Sequence, residues 1–128
     1  MTSLEDLYDA YTRAASEPDL DERIRLLREC AVEDFEISSP FPYSVKGVSE
    51  VARQLGGVAA AMPDGKLSLS RISDIDAHNS FFRVNFENRN GAGERLSTGL
   101  HIAEVHDGKL TRIIVFVPSE LPSFTSTT

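Results

Sequence analysis

The chain has 128 residues, 41% hydrophobic and 26% charged, which is enough for one domain with a real core. A formal net charge of −7 and a pI near 4.9 argue against nucleic acid or an anionic membrane surface as partners, since phosphates would repel it. No apolar run approaches the ~20 residues of a membrane helix, and the acidic start Met1-Thr2-Ser3-Leu4-Glu5-Asp6 lacks the apolar core of a signal peptide. The single cysteine, Cys30, excludes an internal disulfide and a thiolate metal cluster, so a cytoplasmic protein is expected.

Leu4, Leu7, Tyr8, Tyr11 and Ala14 or Ala15 recur at helical spacing, which predicts a helix over Ser3–Ala15 with Ser3 as N-cap and Asp6 three residues on. Ser16-Glu17-Pro18-Asp19 breaks it. A second helix is expected over Leu20–Ala31, with Leu20, Ile24, Leu27 and Ala31 buried and Arg23, Arg25 and Arg28 solvated. Phe35–Ser38 reads as a short strand. Ser39-Pro40-Phe41-Pro42-Tyr43 ends it, because each proline lacks an N–H and restricts its predecessor. Lys46-Gly47 leads into a third helix, Val48–Met62, with Val48, Val51, Ala52, Leu55, Val58 and Met62 inside and Pro63-Asp64-Gly65 as its stop.

From Lys66 the pattern turns to β. Leu67–Asp76 is expected as one strand, Ala77-His78-Asn79-Ser80 as its turn and Phe81–Arg89 as the next strand. There Phe82, Val84 and Phe86 face opposite Phe81, Arg83, Asn85 and Glu87. Asn90-Gly91-Ala92-Gly93 is a second turn. Arg95–Val117 is the centre of the pattern: two β-rich runs flank His106-Asp107-Gly108-Lys109, and Asp-Gly tolerates the positive φ of a tight hairpin. On the first run Leu96, Thr98, Leu100, Ile102 and Glu104 share one face. Arg95, Ser97, Gly99, His101, Ala103 and Val105 share the other. Thr111–Val117 is apolar on both faces after Arg112, predicting a central strand covered on both sides. Segregated helices and strands of this kind imply an α+β fold with helices on one face of a curved, mostly antiparallel sheet.

The helix-helix-strand-helix order, Gly47 before the third helix and the Asp107-Gly108-Lys109-Leu110 hairpin resemble the nuclear-transport-factor-2-like superfamily, in its SnoaL-like and ketosteroid-isomerase-like branch, over Leu4 to Val117. The resemblance implies a single domain over 1–128, with a tail after 117. It implies a cone: the sheet wraps around the three N-terminal helices and a pocket opens between them. Members include isomerases, polyketide cyclases, dehydratases, epoxide hydrolases and non-catalytic binding proteins. The ketosteroid isomerase pattern carries over at three positions. Its oxyanion-donor tyrosine falls at Tyr11, and its protonated second aspartate falls at His101. Its general-base aspartate, just before a proline, falls at Ser39, so that base is missing. The Asp-Arg-Asp set of limonene epoxide hydrolase has no clear counterpart.

His101 is surrounded on its face by the small residues Ser97, Gly99 and Ala103, which suggests a cavity floor. Histidine can act as acid, base or donor near neutrality; the alternative is a structural histidine paired with a backbone carbonyl or with Tyr11. Tyr11 could stabilise an oxyanion or simply pack, and Tyr8 is expected in the core. Ser39 could hold a water or substrate, or bond its own backbone in a turn; Tyr43 could form the pocket mouth or pack. Phe82, Val84, Phe86, Val115 and Val117 are expected to shape an apolar wall, with Ser97 beside them. Arg95 is expected near the rim and Asn85 away from the cavity. Asp74, Asp76, His78 and His106 are expected in solvated turns, and Cys30 as a small buried hydrophobe. No metal-ligand spacing and no Gly-rich phosphate loop occurs, so no cofactor or metal is expected. The expected function is a cofactor-free isomerase, cyclase or dehydratase acting on a small, largely apolar oxygenated molecule, such as a polyketide-like or terpenoid intermediate. His101 would shuttle the proton and Tyr11 would hold the oxyanion. The alternative is a non-catalytic small-molecule-binding or interaction protein of the same fold. A homodimer through the outer sheet face is expected, since Leu96, Leu100, Ile102, Ile114 and Phe116 would otherwise present an apolar patch to water.

Overall fold

Local capping chemistry starts the first two helices. In the computed structural model, which describes residues 3–40, 43–62 and 64–117, the Ser3 hydroxyl accepts from the Asp6 N–H at 3.0 Å and opens α1 (Leu4–Ala15). The Asp19 carboxylate accepts from the Glu22 N–H at 2.9 Å and opens α2 (Leu20–Cys30). Ala31, expected at the end of that helix, begins strand β1 (Ala31–Ser39) instead.

The buried side of α2 differs from the expected one. It carries Arg23, Leu26, Leu27 and Cys30, whereas Leu20 is exposed. Arg23, expected from its charge to be solvated, is 4% exposed. Its guanidinium donates to the carbonyl oxygens of Glu17 (2.8 Å), Pro18 (3.2 Å) and Ala52 (2.8 Å), tying the α1–α2 connection to the third helix. A buried charge persists where it is well hydrogen-bonded, and here each of the three guanidinium nitrogens donates to a carbonyl. Gly56 leaves the space, since a Cβ there would lie 2.7 Å from Arg23 Nη1.

The chain resumes as a strand beyond the prolines. β2 (Tyr43–Lys46) pairs antiparallel with β1, Ser39 opposite Tyr43 and Glu36 opposite Lys46. Gly47 then takes φ 99° while its N–H bonds the Phe35 carbonyl at 2.8 Å, a left-handed conformation that favours glycine. It leads into α3 (Val48–Ala60). The Pro63 stop, the Pro42 end of the loop and the tail after Val117 lie outside the described residues.

The strand expected over Leu67–Asp76 is divided into β3 (Ser68–Arg71) and β4 (Asp76–His78). Both pair with β5 (Phe81–Arg89). Between them the Ser73 hydroxyl, rather than a backbone carbonyl, accepts from the Asn85 N–H at 2.9 Å, so the ladder is interrupted. His78 therefore belongs to a strand, and Asn79, at φ 55°, makes the turn. β6 (Arg95–His106) and β7 (Lys109–Phe116) form the Asp107-Gly108 hairpin, with both turn residues at positive φ.

The sheet order is β2-β1-β7-β6-β5-β3, with β4 also on β5; β1–β7 is parallel and the other pairs are antiparallel. Three helices and a curved, unclosed mixed sheet make the expected α+β cone. Inner-face residues Phe35, Ile37, Phe82, Val84, Ala103 and Ile113 pack on Leu7, Tyr8, Tyr11, Leu27, Val48 and Val51 of the helices. β7 is central but is not covered on both sides: Phe116 is 50% exposed and Ile114 half-buried. Among the described residues no helix is long and apolar enough to cross a membrane.

Candidate functional site

Alternation along β6 turns Gly99, His101 and Ala103 inward, opposite Phe86, Val84 and Phe82 of β5. Gly99 sets how the aromatic rings meet on this face. A Cβ there would lie 2.5 Å from Phe86 Cζ and 2.7 Å from the Phe116 carbonyl oxygen, so only glycine lets the Phe86 ring lean across the strand. The ring then stacks on the His101 imidazole, with centroids 4.1 Å apart and planes 18° from parallel. From above, α1 brings Tyr8 and Tyr11 edge-on to the same imidazole, at 5.7 and 6.0 Å.

His101 is 3% exposed, and its Nδ1 is hydrogen-bonded to the Tyr8 hydroxyl at 2.7 Å. The partner is thus Tyr8, not the backbone carbonyl or Tyr11 expected from sequence. The i, i+3 spacing of Tyr8 and Tyr11 puts both on one helical face, and only the packing depth chooses between them. Burial pushes the His101 pKa down to about 3, so the ring is neutral at neutral pH. Burial also raises both phenols above their ordinary value of 10, for Tyr8 with smaller contributions from Tyr11 and Asp9 and for Tyr11 with one from Cys30.

A cavity of about 130 Å³ opens beside these groups. Its polar lining is Tyr11, Ser39, Gln54, Asn88 and His101; its apolar lining includes Leu55, Val58, Leu69, Phe86, Val115 and Val117. No charged side chain is among the described lining residues. Neither the Tyr11 hydroxyl nor His101 Nε2 has a hydrogen-bond partner among the described residues. Both residues line the cavity.

The structure brings Tyr11, Ser39, Phe86, His101, Val115 and Val117 to this cavity. It does not bring Phe82, Val84 or Ser97. Phe82 and Val84 share the inner face but lie in the solid core, 2% and 1% exposed, with Phe82 edge-on to Tyr8 at 6.0 Å. Ser97 is exposed and accepts from Asn88 Nδ2 at 3.0 Å. The Tyr43 side chain lies outside the described residues. Asn88, Gln54, Leu55 and Val58 line the cavity without having been expected there. The period-2 continuation 82-84-86-88 signals the first, and the stripe Val51-Gln54-Leu55-Val58 signals the others.

Arg95 is turned away from the cavity by a bulge. Asn88 pairs with Ser97 but Arg89 pairs with Arg95, so Leu96 is an extra residue and the alternation reverses. Arg95 and Arg89 both donate to Glu87, at 2.8 and 2.7 Å, and hold its carboxyl below the usual carboxylate range, Arg89 more strongly. An open groove of about 700 Å³ runs outside, between α2, α3 and β3, and includes Arg23 and Arg53. Arg23 is engaged with backbone and Arg53 with Glu50 at 2.7 Å, and neither His101 nor Tyr11 reaches the groove. The smaller cavity is therefore the candidate site. Among the described residues no group of three His, Cys, Asp or Glu side chains is placed to hold a metal ion.

Sequence comparison matches the chain to no family model and to no curated protein. Solved structures do match. A candidate isomerase of the SnoaL-like family from Agrobacterium tumefaciens superposes with TM-score 0.78 at 17% identity, over 88% of this chain and 95% of that one. A candidate polyketide cyclase from Sinorhizobium meliloti superposes with TM-score 0.67 at 18% identity, over 88% and 94%. A candidate ketosteroid isomerase from Kribbella flavida superposes with TM-score 0.66 at 19% identity, over 90% and 77%. At these identities the likeness is one of fold, and the fold is the SnoaL-like, nuclear-transport-factor-2-like cone.

Proposed function

We propose that the protein is an isomerase- or cyclase-type enzyme that takes a small, largely apolar carbonyl compound into the His101 cavity and polarises its oxygen. The observation carrying this reading is the convergence of a phenol and an imidazole nitrogen, both without a hydrogen-bond partner among the described residues, on a cavity with no charged side chain among its described lining. When a proton leaves the carbon beside a carbonyl, negative charge builds on the oxygen. Donors already aimed there stabilise that charge without reorganising, and more strongly than in water. Tyr11 supplies one donor and neutral His101 the other. The role of proton carrier, expected for His101 from sequence, narrows to that of hydrogen-bond donor, because the buried ring does not become an imidazolium near neutrality. The proton itself passes to water or to a second group of the substrate, held by Ser39, Gln54 or Asn88.

Size supports a modest substrate. An engineered apolar cavity of about 150 Å³ holds benzene, so about 130 Å³ takes one ring or a short chain. A larger polyketide-like or terpenoid skeleton would place only its reacting end inside. The test is hydrogen–deuterium exchange: 2-cyclohexenone in D₂O, followed by NMR, with and without protein. Catalysed exchange beside the carbonyl is expected, lowered about 10²-fold or more in Tyr11→Phe. Binding without exchange in the native protein would favour a second reading, a carrier without turnover, for which Ser39 at the base position is the supporting observation. Neither binding nor exchange would overturn both.

The proposed assembly is a homodimer. Leu96 and Phe116 are 40% and 50% exposed on the outer sheet face, beside half-buried Leu100, Ile102 and Ile114. A second copy across a two-fold axis would cover this apolar face.

A further inference from the structure

We propose that Tyr8 is a positioning residue: its hydroxyl donates to His101 Nδ1 and holds the imidazole as the Nε2–H tautomer, making the cavity-facing nitrogen a donor. Two arrangements fit a 2.7 Å contact between a phenol oxygen and a ring nitrogen. In one the phenol donates and Nδ1 accepts. In the other Nδ1–H donates and the phenol oxygen accepts. Tyr8 is fully buried, and its hydroxyl has no other partner among the described residues. The second arrangement would leave the phenolic O–H buried with no acceptor, and such a group costs its full desolvation penalty. The first leaves the Tyr8 hydroxyl satisfied: Nδ1 accepts, and the ring proton sits on Nε2 of an imidazole that lines the cavity.

The surroundings support a neutral pair. His101 is faced by Tyr8 and Tyr11 from α1, by Phe86 from β5 and by its register partner Val115 on β7; none of these carries a charge. The nearest charges on the Tyr8 side are Asp9 and Arg71, paired with each other at 3.4 Å. Behind Tyr11 lies the Cys30 thiol, buried and pushed up to about 11. Burial raises the phenol and lowers the imidazole, so neither a phenolate nor an imidazolium forms near neutrality. Tyr8 does not line the cavity and acts only through His101. Without it the ring could present a lone pair to the ligand, which would repel a carbonyl oxygen. The value of this donor to a ligand rests on the carbonyl-binding function proposed for the cavity; the tautomer does not.

The experiment is long-range ¹H–¹⁵N correlation NMR on protein carrying ring-¹⁵N histidine, with His101→Gln to separate His101 from His78 and His106. In the native protein His101 is expected to show a protonated Nε2 and an unprotonated Nδ1, unchanged from about pH 5 to about pH 8. The Tyr8 hydroxyl proton is expected to couple to Nδ1 across the hydrogen bond. An Nδ1–H spectrum, or an averaged one, would overturn the proposal, and this arm needs no folded variant of Tyr8. In Tyr8→Phe the two tautomers are expected to exchange, whereas Tyr11→Phe keeps one. A single Nε2–H tautomer in Tyr8→Phe would show that something else sets it and would also overturn the proposal. The ligand arm uses cyclohexanone labelled with ¹³C at the carbonyl. Affinity is expected to fall roughly 2- to 10-fold in Tyr8→Phe, the worth of one neutral hydrogen bond, with the bound carbonyl shift moving back towards its free value. If cyclohexanone fails to bind the native protein while the tautomer is fixed and is released in Tyr8→Phe, the positioning role stands and the carbonyl-binding reading falls.

Discussion

Lowering the pH from 7 to about 5 should cost this fold stability, with His101 making a contribution that can be isolated. The ring is 3% exposed, and its only polar partner among the described residues is Tyr8. Its pKa is about 3 in the folded protein, depressed by burial, against about 6.5 in an unfolded chain. Between those values the unfolded chain binds the proton and the folded one does not. The contribution is therefore complete above pH ~6.5 and is lost progressively as the pH falls towards 3. The slope approaches about 1.4 kcal/mol per pH unit for one proton, and pH 5 is still well above the folded value, so the loss from pH 7 to pH 5 is roughly 2 kcal/mol. Urea unfolding of the native protein and of His101→Gln at both pH values isolates this effect. Carboxylates held down by arginines, such as Glu22, Glu33 and Glu87, are common to both proteins and cancel in the difference. The native midpoint should drop by more than that of the variant, with similar slopes. An equal drop in the two proteins would mean that His101 is not held neutral, and the description of the site would be wrong at its centre.

Gly99→Ala places a Cβ 2.5 Å from Phe86 Cζ and 2.7 Å from a backbone oxygen. Thermal unfolding should show a loss of about 1–3 kcal/mol, the usual cost of overpacking, and the Phe86–His101 stack should open, visible as a change in the His101 ring-proton shifts. Arg23→Met keeps the bulk of the side chain but leaves the carbonyls of Glu17, Pro18 and Ala52 without their donor; a loss of at least about 2 kcal/mol in chemical denaturation is expected, and an unchanged midpoint would return Arg23 to the solvated class. Phe116→Lys puts a charge in the middle of the outer apolar face, so sedimentation at micromolar concentration should show dissociation of the proposed dimer while the circular dichroism spectrum is kept.

Local chemistry in the chain was legible without tertiary structure. Ser3 and the first stripe marked α1 to within a residue, because an N-cap and a 3.6 repeat are written in neighbouring positions. Asp107-Gly108 marked the β6–β7 hairpin for the same reason: two adjacent residues at positive φ carry the turn. Alternation on β6 put Gly99, His101 and Ala103 together on the inner face; the order of elements implied an α+β fold with helices on one face of a curved sheet, and the family resemblance made that a cone.

Tertiary structure decided what each face meets. Arg23 looked solvated because charge usually is, yet three carbonyls on the α1–α2 connection and α3 wait for it. Arg95 looked inward until the extra residue Leu96 reversed the alternation, and a bulge shows only in the pairing of two strands. Phe82, Val84 and Phe86 are equivalent by parity, but Tyr8 of α1 packs on Phe82, Val84 is buried in the core, and Phe86 is left beside the cavity. Tyr8 and Tyr11 are equivalent by helical spacing, and the depth at which α1 sits over β6 gives His101 Nδ1 to one and the open cavity to the other. Periodicity assigns a residue to a face. The partner on that face comes from distant chain, through register and packing depth, and no local pattern encodes those.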